Sequence, residues 1–308
     1  MTDRRPLARR FTGMIAAVTA LAIALLSLGA TAADVPPLAD PPTGTWQRGK
    51  LVWIDLLTVD LPAARRFYSA LFGWTFTDFG DRSGKGRGAY SLAWLDGVPV
   101  AGLAEKSAPP EQKRKARWIA FMSVADVADA VKSVVASGGR AFVSPRSVPA
   151  RGEMAVVLDP DGAPFGLINS ASGDPPDALP PVGDWIWAIY QSPDASSAAA
   201  FYQALGGYEV VQDDPLGQAP HFLLVAAGYA RASLVEIPAE RSGLRPDWLY
   251  FVRVNNLRDS LARVRELGGS VLLEPTPKVL DERLAVITDP TGAPLGLLEW
   301  DEDRGEEQ

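Results

Sequence analysis

The chain has 308 residues, of which 47% are hydrophobic, 22% charged and 9% aromatic, and this composition is typical of a folded protein of one or two domains. It contains no cysteine and one histidine, His221, which excludes disulfides, thiolate metal sites and most imidazole chemistry. The net charge of −7 argues against nucleic acid as a partner, because neutralising phosphates requires an excess of lysine and arginine.

The N-terminus has the pattern of an export signal. Four arginines within residues 4–10 precede an uncharged apolar run from Met14 to Leu28, and small residues at 30–33 follow as a cleavage site. A membrane anchor is the alternative, but it requires about 20 apolar residues and this run is shorter. We expect residues 1–32 to be a signal peptide of the Sec or twin-arginine type. The mature protein would then be periplasmic or secreted and not integral to a membrane.

The rest of the chain contains one pattern twice. Residues 60–74 align with 194–208, and residues 159–167 align with 289–297. We therefore predict two similar domains at 50–170 and 182–300. The remaining segments are a leader at 33–49, a proline-rich linker at 171–181 and an acidic tail at 301–308.

Each copy also repeats a smaller unit. In the first copy, an apolar strand at 51–58 precedes a helix that begins after Asp60 and ends at Gly73, and three short strands follow. The second half of the copy repeats this order, with Asp126 as the residue before the helix. The prediction is an α+β fold in which each domain has the order βαβββ twice.

These units resemble the vicinal oxygen chelate superfamily, which includes glyoxalase I, the bleomycin-resistance proteins and the extradiol dioxygenases. The resemblance rests on the helix pattern D-x-x-x-A-x-x-F-Y and the hairpin D-P-D-G, and it covers residues 50–170 and 182–300. It implies eight strands per domain, with the two βαβββ modules forming a cup-shaped sheet around the site. In the metal-using members, the cup holds a divalent ion on His, His or Gln, and Glu.

The ligand positions of the family hold other residue types in this chain. The two histidine positions fall on tryptophan in each copy, and the glutamate position falls on glycine. In chain order these residues are Trp53, Trp118 and Gly166, then Trp187, Trp248 and Gly296. An indole N–H only donates hydrogen bonds and glycine has no side chain, so we expect neither a metal ion nor another cofactor.

The tryptophans convert the predicted cups into aromatic clefts. Strand alternation puts Asp55 beside Trp53 in the first cup, as a candidate general base or partner of a cationic group. The ligand-binding residues predicted in this way are Trp53, Asp55, Trp118, Met122, Trp187, Trp248 and Tyr250. Since copy two has Ile189 where copy one has Asp55, copy one is the predicted functional half and copy two the more structural half.

Three functions remain open at this point. The favoured one is a metal-free binding protein of the cell envelope that holds a small aromatic or hydrophobic molecule. The second is a lyase, isomerase or dioxygenase with a site unlike that of the family. The third is a structural envelope protein whose cups are filled by its own side chains. The fold alone does not choose among them, and the sequence gives no ligand identity or oligomeric state.

Overall fold

The computed structural model describes residues 35–79, 90–105, 116–213, 220–241, 243–277 and 279–301. The expected signal peptide, and the acidic tail apart from its first residue, lie outside these ranges. Within the described ranges, no helix has the length and apolarity needed to cross a membrane.

The first domain is built on one eight-stranded sheet. Its strands are β1 (Leu51–Thr58), β2 (Thr75–Phe79), β3 (Tyr90–Leu95), β4 (Val98–Glu105), β5 (Arg117–Ser123), β6 (Arg140–Val148), β7 (Gly152–Leu158) and β8 (Pro164–Ser170). Its helices are α1 (Leu61–Phe72) and α2 (Val127–Ala136). The strand order is β2-β3-β4-β1-β5-β8-β7-β6, so antiparallel pairing of β1 with β5 joins the two βαβββ modules.

The second domain repeats this topology. Its strands are β9 (Trp185–Ser192), β10 (Glu209–Gln212), β11 (His221–Ala226), β12 (Tyr229–Glu236), β13 (Asp247–Val254), β14 (Ser270–Leu273), β15 (Leu284–Thr288) and β16 (Pro294–Glu299). Its helices are α3 (Ala195–Gly206) and α4 (Leu257–Glu266). The strand order is β10-β11-β12-β9-β13-β16-β15-β14, which confirms the predicted α+β fold with two tandem copies.

The repeated motif sets the ends of the first helix in each domain. The Asp60 carboxylate accepts a hydrogen bond from the Ala63 N–H at 2.9 Å, and Gly73 ends α1 with a φ of 77°. In the second domain, Asp194 accepts from Ser197 N–H at 2.9 Å, and the glycine that follows α3 has a φ of 70°. An acceptor at the start and a left-handed glycine at the end satisfy backbone groups that the helix leaves open.

The two domains pack through their helices. Helix α1 contacts α4, and α2 contacts α3, so the helix-bearing faces of both sheets enclose one shared apolar core. The opposite, helix-free faces carry separate apolar clusters. We call these faces cup 1, which contains Trp53 and Phe121, and cup 2, which contains Trp187 and Phe251.

Candidate functional site

The repeated Phe-Tyr and Asp-Pro motifs meet across the domain interface. Tyr68 Oη of the first domain donates to Asp289 Oδ2 of the second at 3.0 Å. Reciprocally, Tyr202 Oη of the second domain donates to Asp159 Oδ2 of the first at 2.7 Å. Burial raises the pKa of both carboxyl groups, and the tyrosine hydrogen bonds act in the opposite direction. These motifs therefore hold the domains together.

Trp118 and Trp248 belong to this interface, so their predicted place in the cups is wrong. Trp118 Nε1 donates to Tyr68 Oη at 3.2 Å, and Trp248 Nε1 donates to Tyr202 Oη at 2.9 Å. The β1–β5 register pairs Trp118 with Leu56, which faces the helices. Because paired residues of antiparallel strands share a face, Trp118 points away from Trp53.

Met122 and Tyr250 also lie on the helix-bearing faces, and their predicted place in the cups is wrong for the same reason. Each is an even number of residues from Trp118 or Trp248 along its strand, so it shares that residue's face. The Tyr250 hydroxyl accepts a hydrogen bond from the Ala120 N–H of the other domain at 3.2 Å. These side chains contribute to the shared core.

Trp53 and Asp55 do lie in cup 1, where the strand alternation puts them. Asp55 Oδ1 accepts from Trp53 Nε1 at 2.8 Å and from Tyr90 Oη at 2.9 Å. The Asp55 side chain is buried, which raises its pKa, while these hydrogen bonds and the charge of Arg151 lower it. The ligand-binding and catalytic roles of both residues stay predictions.

The sequence reasoning missed two further residues of cup 1, Tyr90 and Arg151. The Arg151 guanidinium lies 3.9 Å from the centre of the Trp53 ring, and burial lowers its pKa. A Cβ atom at Gly102, opposite Asp55 in β4, would lie 1.9 Å from Tyr90 Oη. A glycine inside a buried strand marks such a close approach of another group. Gly102 is therefore the sequence feature that could have pointed to Tyr90.

The leader fills cup 1. Val35 and Leu38 are 2% and 7% exposed and pack in the cluster that contains Trp53. The Ala39 N–H donates to Ser172 Oγ at 3.0 Å, which fixes the segment against the end of the domain. The cavity that remains is about 10 Å³, enough for about one water molecule. The sequence predicted an extended leader at 33–49 but not this contact.

Cup 2 has no such cover from the leader among the described residues, and part of its floor is accessible to solvent. Three side chains on its floor are partly exposed, whereas the residues at the same positions of cup 1 are buried. The pairs are Ile189 and Asp55, Leu249 and Ile119, and Val286 and Val156. Trp187 is also partly exposed, and its Nε1 donates to Ser233 Oγ at 3.2 Å. The expectation that copy two is the more structural half does not fit this geometry.

His221 lies at the edge of cup 2, where the sequence gave it no role. It pairs with Val235 in β11–β12, and Tyr90 has the same register position in the first domain. His221 Nδ1 lies 3.0 Å from the Asp213 carbonyl oxygen. In the tautomer that donates this hydrogen bond, Nε2 is left as an acceptor. His221 and Gln191, which lies two strands away, together give the apolar cup a polar edge.

The two glycines at the family's glutamate positions each lie against a phenyl ring. A Cβ atom at Gly166 would lie 2.1 Å from the Phe121 ring, and one at Gly296 would lie 2.1 Å from the Phe251 ring. Neither position therefore accepts a longer side chain without moving a buried ring. Among the residues that the structure describes, no three His, Asp or Glu side chains form a group that could hold a metal ion.

A groove of about 330 Å³ at the domain interface is the other candidate, beside Asp159 and Asp161. Asp161 Oδ2 accepts hydrogen bonds from Tyr190 Oη at 3.1 Å and from Ser192 Oγ at 2.7 Å. These hydrogen bonds join the two domains, so we assign Asp159 and Asp161 a structural role at the interface. Cup 2 is the better candidate site.

Two family models match the chain, one in each domain. Residues 50–167 match the Glyoxalase/Bleomycin resistance protein/Dioxygenase superfamily, and residues 187–298 match a Glyoxalase-like domain. The chain is also similar to a Mycobacterium bovis protein named "Putative glyoxylase CFP32", at 29% identity over 259 residues that cover 84% of this chain and 97% of that protein. Anthracycline biosynthesis protein DnrV of Streptomyces peucetius is 28% identical over 273 residues, covering 82% and 93%.

The fold is also found among solved structures. The Mn(II)-bound glyoxalase from Novosphingobium aromaticivorans superposes with a TM-score of 0.55 at 15% identity, covering 82% of this chain and 83% of that one. At this level of identity, the likeness supports the fold alone. The matched models, the relatives and the duplicated βαβββ topology agree: the chain is a tandem-domain member of the vicinal oxygen chelate superfamily, of the glyoxalase and dioxygenase type.

Proposed function

We propose that the protein binds a small aromatic or hydrophobic molecule in cup 2, without a metal ion, and that it works outside the cytoplasm. The proposal keeps the favoured function of the sequence analysis but moves the site from the first copy to the second. The export part rests on the N-terminal pattern of residues 1–32.

The observation that carries the proposal is the open apolar floor of cup 2. Trp187, Ile189 and Leu249 stay partly exposed and pack in the apolar cluster on the helix-free face of the second sheet. A contiguous exposed apolar surface on a folded domain marks a binding site more often than an isolated exposed residue does. An indole at its centre favours a planar ligand, because aromatic rings stack on one another.

The relatives supply independent support for an aromatic ligand. Two of them are named as anthracycline biosynthesis proteins, and an anthracycline contains a planar, fused ring system. A ligand of this kind would stack on Trp187 and place its polar substituents at the edge formed by Gln191 and His221. The enzyme alternative would need a catalytic group, and the candidate Asp55 lies in cup 1 under the leader.

Chelator treatment tests the metal-free part of the proposal. Incubation with excess EDTA followed by dialysis is expected to leave the melting temperature unchanged, because a bound metal stabilises a protein by mass action and none is expected here. The support lies in the residues that face the cups at the family's ligand positions: Trp53 and Gly166 in cup 1, and Trp187 and Gly296 in cup 2, have no side-chain atom that can bind a cation. A drop of several degrees, restored by one divalent metal, would contradict the proposal and favour a lyase or dioxygenase.

Trp187→Ala tests the site. The neutral fluorescent probe N-phenyl-1-naphthylamine should bind the unmodified protein, and the substitution should weaken binding by at least about 10-fold, as is typical of a central aromatic contact. The free energy of unfolding should fall by less than the roughly 3–5 kcal/mol typical of a fully buried aromatic residue, because Trp187 is partly exposed. Fluorescence titration and urea denaturation measure the two effects.

Trp46→Ala is the matched control. Trp46 is 48% exposed and lies in the leader, away from cup 2, so its removal should leave probe binding within about 2-fold. Equal binding by the Trp187→Ala variant and the unmodified protein would reject cup 2 as the site. Loss of binding in Trp53→Ala alone would return the site to cup 1, as the sequence predicted.

A further inference from the structure

Arg151 is a buried cation whose terminal nitrogens have no hydrogen-bond partner. Its side chain is 3% exposed, yet neither Nη1 nor Nη2 has an acceptor within reach. Asp55 is a nearby carboxylate whose charge acts on Arg151, but the hydrogen bonds that it accepts come from Trp53 and Tyr90 and not from Arg151. A buried donor without an acceptor is unfavourable, and few such groups occur in a native protein without a reason.

The same guanidinium lines the small cavity of cup 1. The other walls of this cavity include Trp53, Tyr90 and Met154, and one wall is the side chain of Val35 from the leader. The unsatisfied donors therefore border the place that the leader occupies. Removal of Val35 and Leu38 would enlarge the cavity next to Arg151.

We propose that cup 1 is a second binding site, for a small aromatic carboxylate, and that residues 35–39 occupy it until such a ligand displaces them. The groups without partners are donors, so the ligand must bring an acceptor. The planar guanidinium fork matches a carboxylate, to which it can donate two parallel hydrogen bonds. The aromatic ring would replace Val35 and Leu38 against Trp53 and Tyr90.

Few contacts hold the first residues of the leader in cup 1. Residues 35–39 contact cup 1 through the Val35 and Leu38 side chains, and a hydrogen bond from Ala39 N–H to Ser172 Oγ ends the segment. Further along, Gln47 N–H donates to Asp174 Oδ2 at 2.6 Å, so the rest of the leader can stay attached while its first residues leave. A site that is open only part of the time has an apparent affinity reduced by that fraction.

Benzoate binding to a variant with a loosened leader tests the proposal. Val35→Gly combined with Leu38→Gly removes both apolar contacts of the leader and leaves the walls that the first domain itself supplies, such as Trp53 and Arg151, unchanged. By isothermal titration calorimetry, this variant should bind benzoate at least about 10-fold more tightly than the unmodified protein, because the site is open more often. Benzyl alcohol, which has the same ring without the charge, should bind at least about 10-fold more weakly than benzoate.

Arg151→Gln in the loosened background identifies the partner of the carboxylate. This change removes the charge and the fork, and benzoate affinity should fall at least about 10-fold. If this variant does not fold, the melting temperature of the loosened variant decides: benzoate should raise it and benzyl alcohol should not. Equal benzoate affinity with and without the leader contacts, or with and without Arg151, would overturn the proposal.

A competition experiment separates this site from cup 2. Benzoate should bind to the loosened variant that is already saturated with N-phenyl-1-naphthylamine, without releasing the probe. Release of the probe would place benzoate in cup 2 and overturn the proposal for cup 1. Failure of the probe to bind at all would count against the proposed function alone, since the benzoate titration does not depend on it.

Discussion

Replacing Gly166 by alanine is expected to lower the free energy of unfolding by about 3 kcal/mol, the upper end of the usual cost of overpacking a core. The added Cβ would lie 2.1 Å from the Phe121 ring, and something must move. Phe121 is fully buried in cup 1 and belongs to the same apolar cluster as Val35 and Leu38 of the leader. With about 10 Å³ of cavity left in cup 1, the ring has little room to turn. Urea denaturation of the purified variant measures the loss.

Gly296→Ala in the second domain is the matched comparison. Its Cβ would also lie 2.1 Å from a phenyl ring, that of Phe251, so the initial clash is the same. Phe251 is itself only 1% exposed, but Trp187, Ile189 and Leu249 on the same face are partly exposed and have room to shift, so the expected loss is about 1 kcal/mol. The difference between the two variants reports how full each cup is. Equal losses would show that cup 2 is as tightly packed as cup 1 and would count against its role as a ligand site.

The glycines also bear on the loss of the family's metal site. A glutamate at Gly166 or Gly296 would require the neighbouring ring to leave, so one substitution would not rebuild a ligand set. In each domain, the phenylalanine and the glycine are paired in adjacent strands, Phe121 with Gly166 and Phe251 with Gly296. The phenylalanine and the glycine therefore form one packing unit, which occupies the space that a metal-binding glutamate would need.

The repeat allowed the fold to be predicted from the sequence. Two matched segments fixed the number of domains, and Asp60 and Gly73 marked the ends of the first helix within one residue of those observed. Local signals of this kind depend on neighbouring residues only, so they survive without knowledge of tertiary contacts. The order βαβββ followed directly from them.

For β5 and its counterpart β13, the sequence could not predict which residues face the cup. Strand β5 is buried on both sides, with Ile119 and Phe121 apolar on one face and Trp118 and Met122 apolar on the other. Alternation distinguishes the faces of a strand only when one of them meets water. The motif position of the family put Trp118 in the cup, and the observed register with Leu56 shows that it lies on the opposite face.

The sequence also did not predict whether each cup is covered by the leader. Cup 1 is filled by residues that precede Trp53 by 15 or more positions, and the polar contacts that hold this leader come from residues near the end of the domain, such as Ser172. A proline-rich segment has no apolar periodicity that would reveal such a contact. The two copies share their motifs, and the Asp55 and Ile189 difference does not report on the leader, so the covered and the uncovered cup differ visibly only in the packing.

Trp118→Ala is expected to destabilise the whole molecule by about 3–5 kcal/mol, the typical cost of removing a fully buried aromatic side chain. The Trp118 ring packs against three others, with centroid distances of 5.4 Å to Tyr68, 6.2 Å to Trp74 and 4.8 Å to Trp185. Trp185 belongs to the second domain, so the cavity would open between the domains. The Tyr68 hydroxyl would also lose its indole donor.

This substitution separates a structural role from a ligand-binding role. Since both domains share the core around Trp118, its loss should lower the urea midpoint and split the single unfolding transition into two, as each domain unfolds on its own. Binding of N-phenyl-1-naphthylamine to the folded fraction should stay within about 2-fold, because cup 2 is on the opposite face of its sheet. Trp46→Ala should leave probe binding unchanged and keep a single unfolding transition, with a loss of only about 1 kcal/mol from its hydrogen bond to the Ser170 carbonyl oxygen. Unchanged stability with loss of probe binding would mean that Trp118 lines a ligand site after all.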